Sequence, residues 1–439
     1  MTTVLHVPFS YAPDPMGGTE VYVAALAGAL AGHGIASVIA APGPEGRRYR
    51  HGGVEVHRFA AMSRPGLAEA HGEPDREAAA NFGRVLDAVR PDIVHLHAHT
   101  SAVSDLLLDE ARRIGARTVV TYHTPTFSCL RGTLLHMGRE VCDGAIRRLR
   151  CTACALAAHG VPPALAQVIA LAPPSLGRAV TRHGAGGRWR TALAMSAAAA
   201  AMAVRLGRLT GKADRVVAPA EWVVDVLARN GVPGDRMALV RQGMPGIETT
   251  AVGARVRAAG NTPFRIGFYG RASPTKGIAI LTDALALIPD ADVVLELTVV
   301  HETAGGREAD TLRRAAAADR RLRLNDTLPP EGVVEAMRSV DLVAVPSQWL
   351  ETGPLVVLEA FAAGTPVLGS RLGGIAELVT DGVDGVLLPA DDIPAWAAAI
   401  AALAADAARM RVLRAGVRSP RTIADVAREM ASIYRGLAA

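Results

Sequence analysis

The chain has 439 residues, half of them hydrophobic and a fifth charged, with a formal net charge of +5. That length allows two or three domains, and the composition excludes a disordered chain. The surplus of charge suits an anionic small substrate or an anionic membrane surface, and the lack of any block of five or six like charges argues against nucleic acid.

In chain order, the N-terminus has no charged leader and enters a strand at Thr3 to Phe9, so no signal peptide is expected. The expected location is the cytoplasm, with peripheral contact at the inner face of the membrane left open. A loop ending in Gly17-Gly18 leads to an alanine-rich helix from about Thr19 to Gly32, then to a strand at Ala36 to Ala41. Further strands are expected at Ile93 to His97, Thr118 to His123 and Arg215 to Ala218, the last feeding a helix at Trp222 to Arg229. This alternation is that of a doubly wound parallel sheet. Arg147-Arg-Leu-Arg150, the densest basic run, reads as a solvated helix face.

The glycine- and proline-bearing stretch Arg241 to Pro263 breaks the rhythm and is the expected linker. A second alternation follows: a strand at Phe264 to Gly270, a helix after Lys276-Gly277, and strands at Asp292 to Val300, Asp341 to Ser347, Pro366 to Ser370 and Gly385 to Pro389. A last helix, about Pro420 to Leu437, is expected to return to the first domain. The resulting boundaries are 1–243, 244–419 and 420–439. No window holds 18 unbroken strongly apolar residues, and Ala192 to Val204 reads as a helix packed on protein, with a membrane-surface element as the second reading.

Three groups of residues carry chemistry. Glu351 and Glu359 flank the turn between a buried strand and a helix, with Pro354 expected at the first helical position. Loops at the carboxyl ends of parallel strands are where such sheets hold phosphates and sugars. Arg271 and Lys276 lie at a second strand-to-helix turn, where cations oppose the helix dipole, so a ligand is a better reason for them than stability. Cys129, Cys142, Cys151 and Cys154 are the only cysteines, and the Cys151-Thr-Ala-Cys154 spacing lets two thiolates share a metal. Zinc is the leading expectation there, with an iron–sulfur cluster or four reduced thiols as alternatives. His95, His97 and His99 share one strand face; metal ligation is disfavoured because their spacing is poor for a metal site, and a polar strand end in the cleft is expected.

Gly270-Arg271 with Lys276-Gly277, Glu351 and Glu359 followed by Ala363-Gly-Thr-Pro-Val367, Gly17-Gly18-Thr-Glu20, Pro91-Asp-Ile-Val-His95-Leu-His97 and Thr121-Tyr-His123 together resemble the motifs of retaining GT-B glycosyltransferases of family 4, in that family's order. The resemblance implies an α/β fold of the GT-B kind, two facing Rossmann-like domains around a deep cleft. It implies transfer of a sugar from a nucleotide-diphosphate donor, with UDP- or GDP-sugars leading, to a glycan, lipid-linked or small-molecule acceptor, with retention of configuration. By resemblance, Arg271 and Lys276 hold the diphosphate without any required cofactor, Glu351 contacts the sugar hydroxyls, Glu359 the ribose diol, and His123 orients the sugar or stabilises developing positive charge. Gly17, Gly18, Gly270, Gly353 and Leu355 would complete the donor site. The chain departs from the family at Thr352-Gly-Pro-Leu355, where Pro354 lacks an N–H and leaves the amides of Gly353 and Leu355 to serve. A cysteine-bearing subgroup carries a similar cluster after the His123 position, here 129–154, followed by a proline- and glycine-rich acceptor-side insertion, helical in part, at 160–211. Two other readings stay open: a nucleotide-sugar epimerase of the same architecture, and a degenerate nucleotide-sugar-binding protein.

Overall fold

The computed structural model describes residues 1–14, 17–62, 73–182, 187–245, 262–300 and 307–438. The chain divides into two compact units, Met1–Pro245 with Ile423–Ala439, and Gly246–Thr422. Most of the expected linker, residues 246–261, lies outside the described residues.

In the first unit the order is β1 (Thr2–Val7), α1 (Gly18–Leu30), β2 (Ile35–Gly43), β3 (Arg47–His51), β4 (Val54–Ala60), α2 (Arg76–Val89), β5 (Ile93–Leu96), α3 (Asp105–Arg113) and β6 (Arg117–Thr121). A small hairpin, β7 (Leu135–His136) and β8 (Glu140–Val141), precedes four helices: α4 (Arg148–Ala158), α5 (Pro163–Ala170), α6 (Pro174–Arg182) and α7 (Arg188–Lys212). Then come β9 (Arg215–Ala218), α8 (Glu221–Arg229) and β10 (Met237–Leu239). The eight-stranded sheet runs β10-β9-β6-β5-β1-β2-β4-β3 and is parallel except for the β3–β4 pair. β3 and β4 have no counterpart in the expectations above. The β3 run Arg-Arg-Tyr-Arg-His has no apolar alternation, because it is an edge strand whose side chains are largely exposed.

The second unit contains β11 (Phe264–Arg271), α9 (Ile278–Ala286), β12 (Val293–Val300), α10 (Arg307–Ala318), β13 (Leu322–Asn325), α11 (Pro330–Arg338), β14 (Leu342–Val345), α12 (Leu355–Ala362), β15 (Val367–Ser370), α13 (Gly373–Leu378), β16 (Gly385–Leu388), α14 (Ile393–Ala405) and α15 (Ala407–Gly416). Its six strands are parallel, in the order β13-β12-β11-β14-β15-β16. Both sheets have the near-continuous Val, Ile and Leu strands of sheets buried on both faces.

The last helix, α16 (Ile423–Ala438), packs on α1 of the first unit and buries Val426, Met430 and Tyr434 there. The two units divide after Pro245 and before Ile423. Pro354 is the residue before α12, not its first helical residue, since its ψ of 108° is extended.

Candidate active site

In each sheet the strand order reverses at one place, between β1 and β5 in the first unit and between β11 and β14 in the second. The carboxyl ends of the strands at such a reversal leave a crevice, because the flanking helices diverge to opposite faces. The sequence-derived residues fall at both places.

In the second unit, β11 ends at Arg271, which is exposed, and a 3₁₀ turn at Pro274–Lys276 leads into α9. β14 ends in the loop that carries Ser347, Trp349 and Glu351. Lys276 Nζ donates to Glu351 Oε1 at 2.7 Å, and the same oxygen accepts from Ser347 Oγ at 2.8 Å and Trp349 Nε1 at 2.9 Å. Glu351 is buried, so three donors on one oxygen offset the desolvation of its charge. The ammonium also lies 5.8 Å from the centre of the Trp349 ring. Ser347 and Trp349 were not selected from the sequence; only their place in the loop before Glu351 could have marked them.

Two glycine turns fix this arrangement. Gly277 has φ +71° and a Cβ there would stand 1.8 Å from the carbonyl oxygen of Pro346, so no other residue fits between the Lys276 turn and the β14 loop. Gln348 N donates to Thr275 O at 2.7 Å, closing the same contact. On the other side, Gly373 and Gly374 lie against the Glu351 backbone, with Gly374 N donating to Glu351 O at 2.6 Å. This second pair was also missed, since its role depends on a contact across more than twenty residues.

Glu359 lies half-buried on α12. Burial raises its carboxyl to about 7. Gly270 closes β11, Gly353 lies in the loop, and Leu355 is the first residue of α12, whose N–H has no acceptor within the helix.

The first unit places histidines from three strand ends together. His97 Nδ1 lies 3.0 Å from His123 Nε2, and His6 Nδ1 lies 3.1 Å from His97 Nε2. His95 contacts Thr121 Oγ1 at 2.7 Å and, from the far end of the chain, the Tyr434 hydroxyl at 2.6 Å. His6, His95 and His97 also form a group whose ring nitrogens lie close enough to hold a cation, but both nitrogens of His95 are engaged by hydroxyls. These rings are buried rather than forming an open polar strand end, because neighbouring strands and α16 cover them. His99 stands apart, with its ring 5.4 Å from Phe127. Burial lowers His6 and His123 to about 3 and His99 to about 4, and, with the neighbouring imidazoles adding to it, holds His95 and His97 well below the usual range. His123 is therefore neutral near pH 7. Its ring packs edge-on against Tyr22 of α1, five residues after Gly17. Gly17 caps that helix, its N–H donating to Glu20 Oε2 at 2.9 Å, and Gly18 begins it.

The four cysteines, carried by the loop after β6, the β7–β8 hairpin and α4, all line one cavity of about 20 Å³. Met137 N donates to Cys154 Sγ at 3.2 Å and Arg147 N to Cys151 Sγ at 3.4 Å. Burial raises the thiols of Cys142 and Cys151.

Two parallel Rossmann-like units with polar groups at both strand-order reversals define the GT-B class, and solved structures agree. The chain aligns over 99% of its length with all of Anabaena HepE in complex with UDP, at TM-score 0.64 and 16% identity, and over its whole length with 99% of a sucrose-phosphate synthase from Thermosynechococcus elongatus, at TM-score 0.66 and 19% identity. Residues 16–169 match the model described as Glycosyltransferase Family 4, and residues 263–406 match Glycosyl transferases group 1. The chain belongs to this glycosyltransferase family. Among its relatives are the D-inositol 3-phosphate glycosyltransferases of Corynebacterium glutamicum, 36% identical over 38% of this chain and 42% of that protein, and of Saccharomonospora viridis, 31% identical over 53% and 59%. The aligned part thus spans about half the length of the curated relatives.

Proposed function

We propose that the protein transfers a sugar from a nucleotide-diphosphate donor to an acceptor hydroxyl with retention of configuration. The observation that carries this reading is the Lys276–Glu351 pair, held by two glycine turns at the strand-order reversal of the second sheet. Lys276 and Arg271 supply positive charge where the departing diphosphate gains negative charge, and the bond from the anomeric carbon breaks with its electron pair moving to phosphate oxygen. The acceptor oxygen bonds to that carbon and its proton leaves with the phosphate. Glu351 accepts sugar hydroxyls, Glu359 accepts the ribose diol in its ionised form, and His123, neutral, orients rather than deprotonates. A UDP-sugar is the first donor to try, since HepE is a structural neighbour with UDP; the curated relatives make a polyol phosphate the first acceptor class.

Incubation of the full chain with UDP- and GDP-sugars, with and without inositol phosphate or a lipid-linked acceptor, tests this by mass spectrometry. Acceptor-dependent glycoside and free nucleoside diphosphate are expected. Acceptor-independent conversion of the donor would replace the reading by an epimerase, and no turnover by a binding protein.

The cysteines are read as a structural zinc site. The shared cavity and the two N–H groups on sulfur suit thiolates, and a cation would reverse the upward shift that burial gives the thiols. Protein grown with zinc should carry about one ion per chain by mass spectrometry of metals, falling severalfold in Cys151→Ser. Iron in place of zinc, or no metal with four titratable thiols, would overturn that assignment.

A further inference from the structure

The helices α5 and α6 and the start of α7 are inside-out. On α5 the inward positions are Ala166 and Ala170, both buried, while Val168 and, just past the helix, Leu171 are 63% and 66% exposed. Leu165 and Leu176 are exposed as well, and Trp189, in the first turn of α7, is 71% exposed. The hydrophobic effect alone would place the larger side chains inside and the alanines outside. This is no failure of packing, for the inner side is well made. Arg148 Nη1 donates to the carbonyls of Ala170 and Ala172 and to Ser196 Oγ at 3.0 to 3.2 Å, and Gly177 lets α6 approach α7 so closely that a Cβ would meet Leu193 O at 2.8 Å.

The charge of the same stretch is one-sided. From Pro163 to Arg190 the chain holds Arg178, Arg182, Arg188 and Arg190 and no acidic residue, so this stretch is +4. We infer that the outer face of α5, α6 and the first turn of α7 docks on an anionic lipid surface, with Val168, Leu171 and Trp189 entering the headgroup boundary and the positive charge of the stretch attracted to lipid phosphates. Exposed aliphatics and a tryptophan flanked by arginines are the combination that binds an interface, where the apolar part is buried and each cation near the surface strengthens attachment. A second copy of this chain would bring two faces of like charge together, and a nucleic acid would leave the aliphatic side chains unburied. Trp189–Lys212 is long and apolar enough to cross a bilayer, but half of its most apolar stretch is buried inside the first unit, which keeps the helix on the surface rather than through it. The inference does not depend on the transferase reading.

The full chain is to be sedimented with vesicles of phosphatidylcholine alone and of phosphatidylcholine with phosphatidylglycerol, at low and high salt. At least tenfold tighter binding to the anionic vesicles is expected, weakening with salt, with roughly a fivefold loss for each of Arg178→Gln and Arg190→Gln. Val168→Ser with Leu171→Ser should weaken binding at both salt concentrations, and an unchanged melting temperature and circular dichroism spectrum would show that the variants fold. Equal binding to both vesicles, binding to neither, or tighter binding to duplex DNA than to anionic vesicles would overturn the inference.

Discussion

Lys276→Met is expected to lower kcat/KM for the donor by about 10²- to 10³-fold, a loss of roughly 3 to 4 kcal/mol of transition-state stabilisation. The fall should lie mainly in kcat, because charge on the diphosphate oxygens grows as the bond to the sugar breaks, and an ammonium fixed beforehand gains most there. The fixing is visible in the structure: Glu351, Gly277 and the Trp349 ring leave the ammonium little freedom. The variant should still fold, since Glu351 keeps its hydrogen bonds from Ser347 and Trp349, and the stability loss should be about 1–2 kcal/mol. Steady-state kinetics beside a urea titration separates the two roles. Preserved kcat with a large stability loss would make Lys276 a structural partner of Glu351 and nothing more.

The second large effect is acid sensitivity confined to the first unit. His6, His95, His97, His99 and His123 all bind protons more weakly folded than at their ordinary value near 6.5, chiefly because burial disfavours the charged ring. The unfolded chain therefore takes up protons first as the pH falls. Stability is complete above about pH 6.5 and declines below it toward the folded values. At pH 5 His6, His99 and His123 each remove about 2 kcal/mol, and His95 and His97 act in the same direction, so the cluster removes an amount comparable to the whole stability of a domain. Glu359 has the opposite sign: its carboxyl is raised to about 7, so protons bind the folded state better and the second unit gains stability as pH falls from 7 toward the ordinary carboxylate range. Urea unfolding at pH 7.5 and 5, followed by hydrogen exchange in each unit, should show protection lost from β1, β5 and β6 at pH 5 while β11 and β14 stay protected. Coincident loss in both units, or no change at pH 5, would contradict the buried neutral cluster.

Much of this fold was legible because buried parallel strands announce themselves as short runs of Val, Ile and Leu. Arg215–Ala218 came out to the residue, and β11 and β15 to within one. The β3–β4 hairpin was not, since an exposed basic edge strand has no apolar period to read. The prolines and glycines of 160–211 suggested an insertion helical only in part, yet Pro163 and Pro174 open α5 and α6, where a missing N–H costs nothing. Arg271, Lys276, Glu351 and His123 could be selected because strand ends are where chemistry gathers in such sheets. What they touch could not: Lys276 meets Glu351 across 75 positions and His95 meets Tyr434 across 339, and no local pattern carries either contact.

The central claim is a nucleotide-diphosphate site on the second unit that centres on Lys276 and does not depend on a divalent metal. Calorimetric titration of the full chain and of Lys276→Met with UDP, GDP, ADP and TDP, each with and without EDTA, addresses it directly. Selective binding of one nucleotide, unchanged by EDTA and weakened at least tenfold by the substitution, is the predicted result. No binding of any nucleotide by the folded wild-type chain, or equal binding by both proteins, would contradict it.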